Sequence, residues 1–439
     1  LQTFELTLWT RASNKRHLND VFMIDQTFSA KNLLRLANRR DPRRYRLGRN
    51  RADYLRSLEA VSRLALSDDF RFSTFSTSSV AGKTVYTPTT CADEFIIRKL
   101  TNNISRSYGA KQSDRNDIIE QVISLLREKT PFHLIKLDIK GFYESINRHA
   151  ILQNIASTST LAFRSKSLLT QLLVEQTYFP EAGLPRGISL SSTLSELYME
   201  DFDAQVRRMD GVYFYARYVD DIIIFSYREP TMLRKLILAA LPSGMHLNPA
   251  KDITLEFDKN GNCLTPGRRE LSYLGYRFIF REPPPAQQQG QRGNVTAPRL
   301  TIKISQPKIS KIKRRIMLSL FSHLRSQDFS LLEARIRFLT GNCQMKSDGD
   351  NGKLYSGIYY NHHLIDESGI AELGALTTFL RKAILSQRGA FGTAIRSSLT
   401  NHQRNRLLRY CFATGFRNKI THNTHPDTLN SIKQCWKHV

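Results

Sequence analysis

The stretch YARYVDDIIIFSY, residues 215–227, sets two neighbouring carboxylates, Asp220 and Asp221, between runs of aromatic and β-branched residues. Such flanks predict a buried β-hairpin. Two unpaired acids in that setting repel each other and resist desolvation. A chain that builds this hairpin must bring positive charge to its turn. A third acid sharpens the demand, because Asp138 ends the strand-like run FHLIKLDI, residues 132–139. If that strand neighbours the hairpin, three carboxylates converge and divalent cations between them relieve the repulsion. Mg²⁺ fits such a place, being hard, octahedral and usually held by a few carboxylates plus substrate phosphates. Mn²⁺ is the expected substitute. Two such ions about 4 Å apart activate an attacking hydroxyl and stabilise a leaving pyrophosphate. Taken alone, two adjacent aspartates are an ordinary hairpin tip.

The surrounding pattern mixes strands and helices. SDRNDIIEQVISLLREK, residues 113–129, has helical spacing at Ile118, Ile119, Val122, Leu125 and Leu126, with Ser113 or Asp114 as its cap. SLSSTLSELYMEDFDAQV (189–206) returns to helical spacing after the turn GLPRG, and LRKLILAAL (233–241) is a short helix stopped by Pro242 and Gly244. LSYLGYRFIF (271–280) reads as a strand pair or strand edge, and REPPPAQQQGQRGN (281–294) as a flexible loop. KISKIKRRIMLSLFSHLRS (308–326) has one basic and one apolar face, and RIRFLTGNCQ (335–344) ends its helix near Gly341. The expectation is an α+β fold in which helices cover one face of a mainly antiparallel sheet, with a mostly helical remainder.

Charge narrows the function. The chain carries 65 Lys and Arg against 39 Asp and Glu, a net charge of +26, which implies a polyanionic partner such as nucleic acid. The run NRRDPRRYRLGRNRADYLR concentrates Arg43, Arg44 and Arg46 around Tyr45, a composition suited to RNA backbone contact and base stacking or to a solvated basic face. No acidic residue occurs between Glu282 and Asp328, so Lys311, Lys313, Arg314 and Arg315 can track a duplex backbone. No apolar run reaches the roughly 18 residues of a membrane span. Five scattered cysteines fit free thiols in a reducing compartment, and the absence of a secretory pattern at the start makes a cytoplasmic location the expectation. The histidines of YNHH (360–363) and THNTH (421–425) are expected on the surface or facing RNA.

Five segments in order, KLDIKGFYESI, GLPRGISLSSTLSELYM, RYVDDIIIF, HLNPAKDITLEF and LSYLGYRF, resemble successive palm motifs of reverse transcriptases, across about residues 95–281. The resemblance implies a right-hand polymerase: a basic N-terminal extension (1–75), fingers and palm (76–281), a loop (282–294), a helical thumb (295–390) and a C-terminal helical segment (391–439). It implies Asp138, Asp220 and the backbone carbonyl of Ile139 as metal ligands, with Asp221 as the supporting carboxylate. Tyr143 matches the bulky residue that closes off the sugar 2′ position. Pro185, Arg186 and Gly187 match the loop under the templating pair, with Arg186 where glutamine is usual. Lys251 matches the lysine proposed to protonate pyrophosphate. Leu274, Gly275 and Tyr276 match the primer grip. Arg98, Lys111 and Arg115 precede the palm as candidate triphosphate-binding finger residues.

IRKLTNNISRSYGAKQSDRNDIIEQV and MIDQTFSAKNL look more like bacterial defence-associated reverse transcriptases, the type 3 systems among them, than like retron or group II intron enzymes. That implies an antiphage role, a dedicated non-coding RNA as template, dNTPs as substrates, a DNA product, and a second reverse transcriptase or a homo-oligomer as partner. An RNA-templated RNA polymerase shares the palm, but Tyr143 argues against it. An RNA-binding scaffold with a silent palm is the rival from another class, and the retained acids with Tyr143 and Lys251 weigh against it. The priming group is not legible in the sequence.

Overall fold

The computed structural model describes residues 24–80, 82–280, 300–346, 353–424 and 426–437. The basic start of the chain and the loop expected at 281–294 lie outside the described residues. Two strands form a separate hairpin, β1 (Ser76–Val80) and β2 (Lys83–Thr87), and β1 is exposed along its whole length.

The central sheet is antiparallel throughout, from β3 (Phe132–Lys140), β4 (Val212–Tyr218), β5 (Asp221–Ser226), β6 (His246–Leu247) and β7 (Ile253–Phe257). β3 lies in the middle, with β5 on one side and β6 and β7 on the other. Its near-continuous apolar run is what a strand buried on both faces requires. The period of two then divides the molecule. Ile135, Leu137 and Ile139 point into one core with Ile222 and Ile224, alongside residues of helices Cys91–Tyr108 and Ser189–Arg207. Phe132 and Leu134 point into the other with Ile223 and Phe225, against helix Arg115–Leu126 and the strands that follow the palm. The expected single covered face is therefore two covered faces. Asp114 caps helix Arg115–Leu126, accepting from the backbone N–H groups of Asn116 and Asp117.

The hairpin β8 (Glu270–Tyr273) and β9 (Tyr276–Phe280) continues into β10 (Leu300–Ile304) as a three-stranded antiparallel sheet. Beyond it the second core runs through helices Gln306–Ser326, Phe329–Thr340 and Glu367–Ile384 to Trp436, so the segments 295–390 and 391–439 share one interior. In this mostly helical region a small sheet was not foreseen: β11 (Asn342–Lys346) pairs antiparallel with β12 (Lys353–Gly357) and parallel with β13 (Thr421–Asn423). At the other end, Phe28, Leu33, Leu58 and Phe72 enter the first core, which joins the described part of the basic extension to the palm.

Candidate active site

β4 and β5 are joined by a two-residue turn, Val219–Asp220, with Tyr218 opposite Asp221. Val219 has φ of 59°. A two-residue hairpin turn with positive φ at its first central position favours glycine there, and a β-branched residue is strained. The restraint comes from Arg217, whose side chain is buried. Its guanidinium donates to the Val219 carbonyl at 3.1 Å, to both carboxylate oxygens of Asp203 at 2.8 Å, and to Glu196 at 2.7 Å. The Tyr215 hydroxyl donates to Asp203 as well. The motifs of the sequence gave no warning of this network. Its signal is an arginine inside an apolar strand, which needs acids, and a helix that offers Glu196 and Asp203 seven residues apart on one face.

Across the sheet, the register sets Asp138 opposite Asp221, and the Ile139 N–H donates to the Asp220 carbonyl at 3.0 Å. The three acids of the opening pattern are thus brought to one sheet end. The segment after β6 pins Asp138 further. Asn248 donates from its backbone to the Asp138 carbonyl at 2.8 Å and from its amide to Oδ2 at 3.2 Å. Lys251 places Nζ 2.8 Å from Oδ1, and Lys136 places Nζ 3.6 Å from Asp221 Oδ1. The positive charge that the hairpin demands is therefore supplied in this structure by two lysines. Burial pushes the Asp220 and Asp221 carboxyls up, and the charge of Asp138 adds to the rise in both. Lys251 is pushed up chiefly by its bond to Asp138. Among the described residues no group of three or more His, Cys, Asp or Glu side chains stands in ready metal-binding geometry. The donors themselves, carboxylates at one sheet end, are hard oxygens whose mutual repulsion a divalent cation relieves, and they fit such an ion once Lys251 yields Oδ1.

Tyr143 lies on the single helical turn Phe142–Ser145 that follows β3. Its carbonyl accepts from the Leu184 N–H at 2.8 Å, which ties it to the LPRG loop. Gly187 has φ of 93°, and a Cβ there would fall 2.4 Å from the Tyr86 carbonyl, so this glycine lets the loop seat against β2. The Tyr86 N–H donates to the Arg186 carbonyl at 2.8 Å, and the Ser191 hydroxyl donates to the Pro185 carbonyl at 2.6 Å. Arg186 does not reach out toward a template. Its Nε and Nη2 each lie 3.1 Å from a Glu144 oxygen, and its guanidinium covers the Tyr143 ring at 5.1 Å. Lys83 of β2 also pairs with Glu144, at 3.0 Å. Against the penalty of burial, Arg186 and Lys83 hold the Glu144 carboxyl down at about 2.

Residues 90–278 match the family model described as "Reverse transcriptase (RNA-dependent DNA polymerase)". This segment is a reverse transcriptase domain. It takes in a little under half of the chain. No curated protein matches the chain. Among solved structures, apo telomerase from Candida tropicalis truncated from its C-terminal domain is similar at 14% identity, over 49% of this chain and 54% of that one, with a TM-score of 0.33. Telomerase from Candida albicans, in complex with a TWJ fragment of telomeric RNA, is similar at 13% identity, over 77% of this chain and 54% of that one, with a TM-score of 0.35. The alignment thus spans about half the length of each telomerase chain.

The reverse transcriptase domain places several expected finger and grip residues elsewhere. Arg98 is not an open triphosphate contact: it pairs with Asp41 and Glu94 and donates to the Leu36 carbonyl, with its side chain 16% exposed. Arg115 lies under the β8–β9 turn, donating to the Leu274 carbonyl at 2.8 Å and covering the Tyr276 ring at 5.0 Å. Lys111 lines a cleft with Tyr355, Tyr360 and Tyr218, the last of them opposite Asp221 at the end of β4. Leu274 and Gly275 form the turn, but Tyr276 is fully buried and offers no ring to a primer. Arg43, Arg44 and Arg46 are exposed, whereas Tyr45 packs edge-on against Phe95 with its hydroxyl on Glu94, so it is not a stacking surface. On helix Gln306–Ser326, Lys313 and Arg314 are exposed and Lys311 is half-buried, while Arg315 turns inward over the Trp436 ring at 5.3 Å. His362, expected on the surface, is buried beside Tyr276, and burial pushes its imidazole down to about 3. The apolar residues Ile309, Ile316 and Leu320 of this helix are buried, and no described helix is long and apolar enough to cross a membrane.

Proposed function

We propose that this protein is an RNA-directed DNA polymerase that adds dNTPs to a growing strand on an RNA template. The observation that carries the reading is the meeting of Asp138, Asp220 and Asp221 at one sheet end, within a domain that matches the reverse transcriptase family. In this reading Asp138, Asp220 and the Ile139 carbonyl hold Mg²⁺, with Asp221 in support. An ion held there would supply activation of the attacking hydroxyl and neutralisation of charge on the leaving pyrophosphate. Asn248 and Lys251 orient the Asp138 carboxylate, and Lys251, which keeps its proton beside that acid, is set to pass it to pyrophosphate. Tyr143 faces the sugar and rejects a 2′-hydroxyl. The β1–β2 hairpin, joined to the palm through Lys83 and Arg186, acts as the fingers that close over the nucleotide.

The proposal extends to a dedicated non-coding RNA as template and to an antiphage role, shared between two polymerases or copies of this chain. Its support is the likeness of residues 97–122 to the defence-associated group and the net charge of +26. The test combines purified protein, its co-purifying RNA, Mg²⁺ and either dNTPs or NTPs. A DNA product templated by that RNA, and lost in Asp220→Ala, is expected. Product from NTPs alone makes the enzyme an RNA polymerase, and RNA binding without product makes it a scaffold. Sequencing the bound RNA tests for one dedicated template.

A further inference from the structure

The position after LP in the LPRG loop carries an arginine where the resembling family usually has glutamine, and its guanidinium is bonded to Glu144 and laid over the Tyr143 ring. We infer that Arg186 and Glu144 form a latch that holds Tyr143 against the incoming sugar, so that this ion pair, acting through Tyr143, sets the choice between deoxyribo- and ribonucleotides. The inference rests on the polymerase reading above and adds two positioning residues to it.

A ring rejects a hydroxyl by collision only if it cannot yield, because a shift of about 1 Å removes the clash. Two neighbours restrain the Tyr143 ring. Phe142 meets it edge-on at 5.3 Å, and Arg186 covers its face at 5.1 Å. Arg186 is restrained in turn by the two-point bond to Glu144, a geometry that a planar guanidinium makes and an amide does not. Glu144 is anchored by Lys83, so the latch joins the β1–β2 hairpin to the palm. With Glu144 balancing its charge, Arg186 is spent on the ring and not on a template phosphate.

The experiment measures kcat/KM for a dNTP and the matching rNTP. In Arg186→Gln the preference for dNTP falls about tenfold, mainly because the rNTP is used better. Glu144→Gln changes it in the same direction, and Arg186→Lys restores only part of it. Because the Glu144 side chain is one-third exposed, Glu144→Gln carries the test should Arg186→Gln misfold. In a Tyr143→Ala background the preference is already lost, and Arg186→Gln adds nothing. An active Arg186→Gln or Glu144→Gln enzyme with wild-type preference overturns the latch while leaving the polymerase reading intact. An Arg186→Gln effect that persists without Tyr143 also overturns it. A wild-type protein that polymerises neither nucleotide overturns the polymerase reading, and the latch falls with it.

Discussion

Two hairpin turns meet the same geometric need in opposite ways. Val219–Asp220 joins β4 to β5, and Leu274–Gly275 joins β8 to β9; each is a two-residue turn, and each has an arginine donating to the carbonyl of its first residue. At Leu274–Gly275 both residues have positive φ, 43° and 86°, and the glycine accepts this readily. Arg115 there is backed by the Tyr276 ring and the Asn361 carbonyl, with no carboxylate bonded to it among the described residues. At Val219–Asp220 the strained residue is a valine, and Arg217 is locked between two buried acids. The acid-bearing turn is thus shaped by a side-chain network beneath it, while the other is shaped largely by its own backbone. A carboxylate whose position must be held against repulsion has reason to sit on the first kind.

Removing each arginine separates the two designs most strongly. Arg217→Met leaves Glu196 and Asp203 without their cation, with only the Tyr215 hydroxyl still on Asp203, and lowers stability by about 3–5 kcal/mol in denaturant unfolding. Arg115→Met removes hydrogen bonds near the surface and lowers it by about 1–2 kcal/mol. Equal losses would erase the distinction. The turns themselves give a smaller contrast. Gly275→Ala forces a Cβ at positive φ, 3.1 Å from Arg115, and costs about 1–2 kcal/mol. Val219→Gly relieves strain while adding chain entropy, so its stability stays within about 1 kcal/mol of wild type even as polymerisation slows.

The smallest effect is a pH signature that sets the acid-bearing turn against the Glu144 latch beside it. Glu144 has its folded pKa lowered from 4.5 to about 2 by its cations. Its stabilising contribution is present above pH 4.5 and is lost as pH falls toward 2. The stability gap between wild type and Glu144→Gln therefore closes over that window. Asp220 is the reverse case, because its folded pKa is raised from 3.8 by burial. The unfolded chain then releases its proton first, and stability falls as pH rises above 3.8. Asp220→Asn should gain on wild type with rising pH and lose that gain in acid. Parallel melting curves across pH 2–7 check both signs, and slopes of the same sign for the two variants count against the assignment.

The palm was legible because its strands combine a period of two with β-branched and aromatic residues, and because Asp138, Asp220 and Asp221 each sit where such a strand ends. The register that sets Asp138 opposite Asp221 follows from the apolar pattern of β3 and β5. What stayed hidden was which cations are free. Arg98 finds Asp41 57 positions away and Arg115 finds Leu274 159 positions away, and a chain so rich in arginine gives no local sign of either pairing. The start of helix Pro230–Ala240 was missed by three residues although Pro230 at its first position marks it. The small sheet of β11, β12 and β13 was illegible for a different reason: β13 is three residues long and pairs in parallel with a strand nearly 80 residues earlier.

The acids at the end of β3 and at the β4–β5 turn carry the whole of the proposed chemistry, nucleotide addition. Template-dependent dNTP incorporation by folded wild-type and Asp220→Asn protein, measured side by side with Mg²⁺, is the decisive comparison. Steady incorporation is expected from the wild type, with a loss of about 10³-fold or more in the variant while its unfolding transition stays intact. Incorporation by Asp220→Asn at the wild-type rate would show that these acids do not do the chemistry.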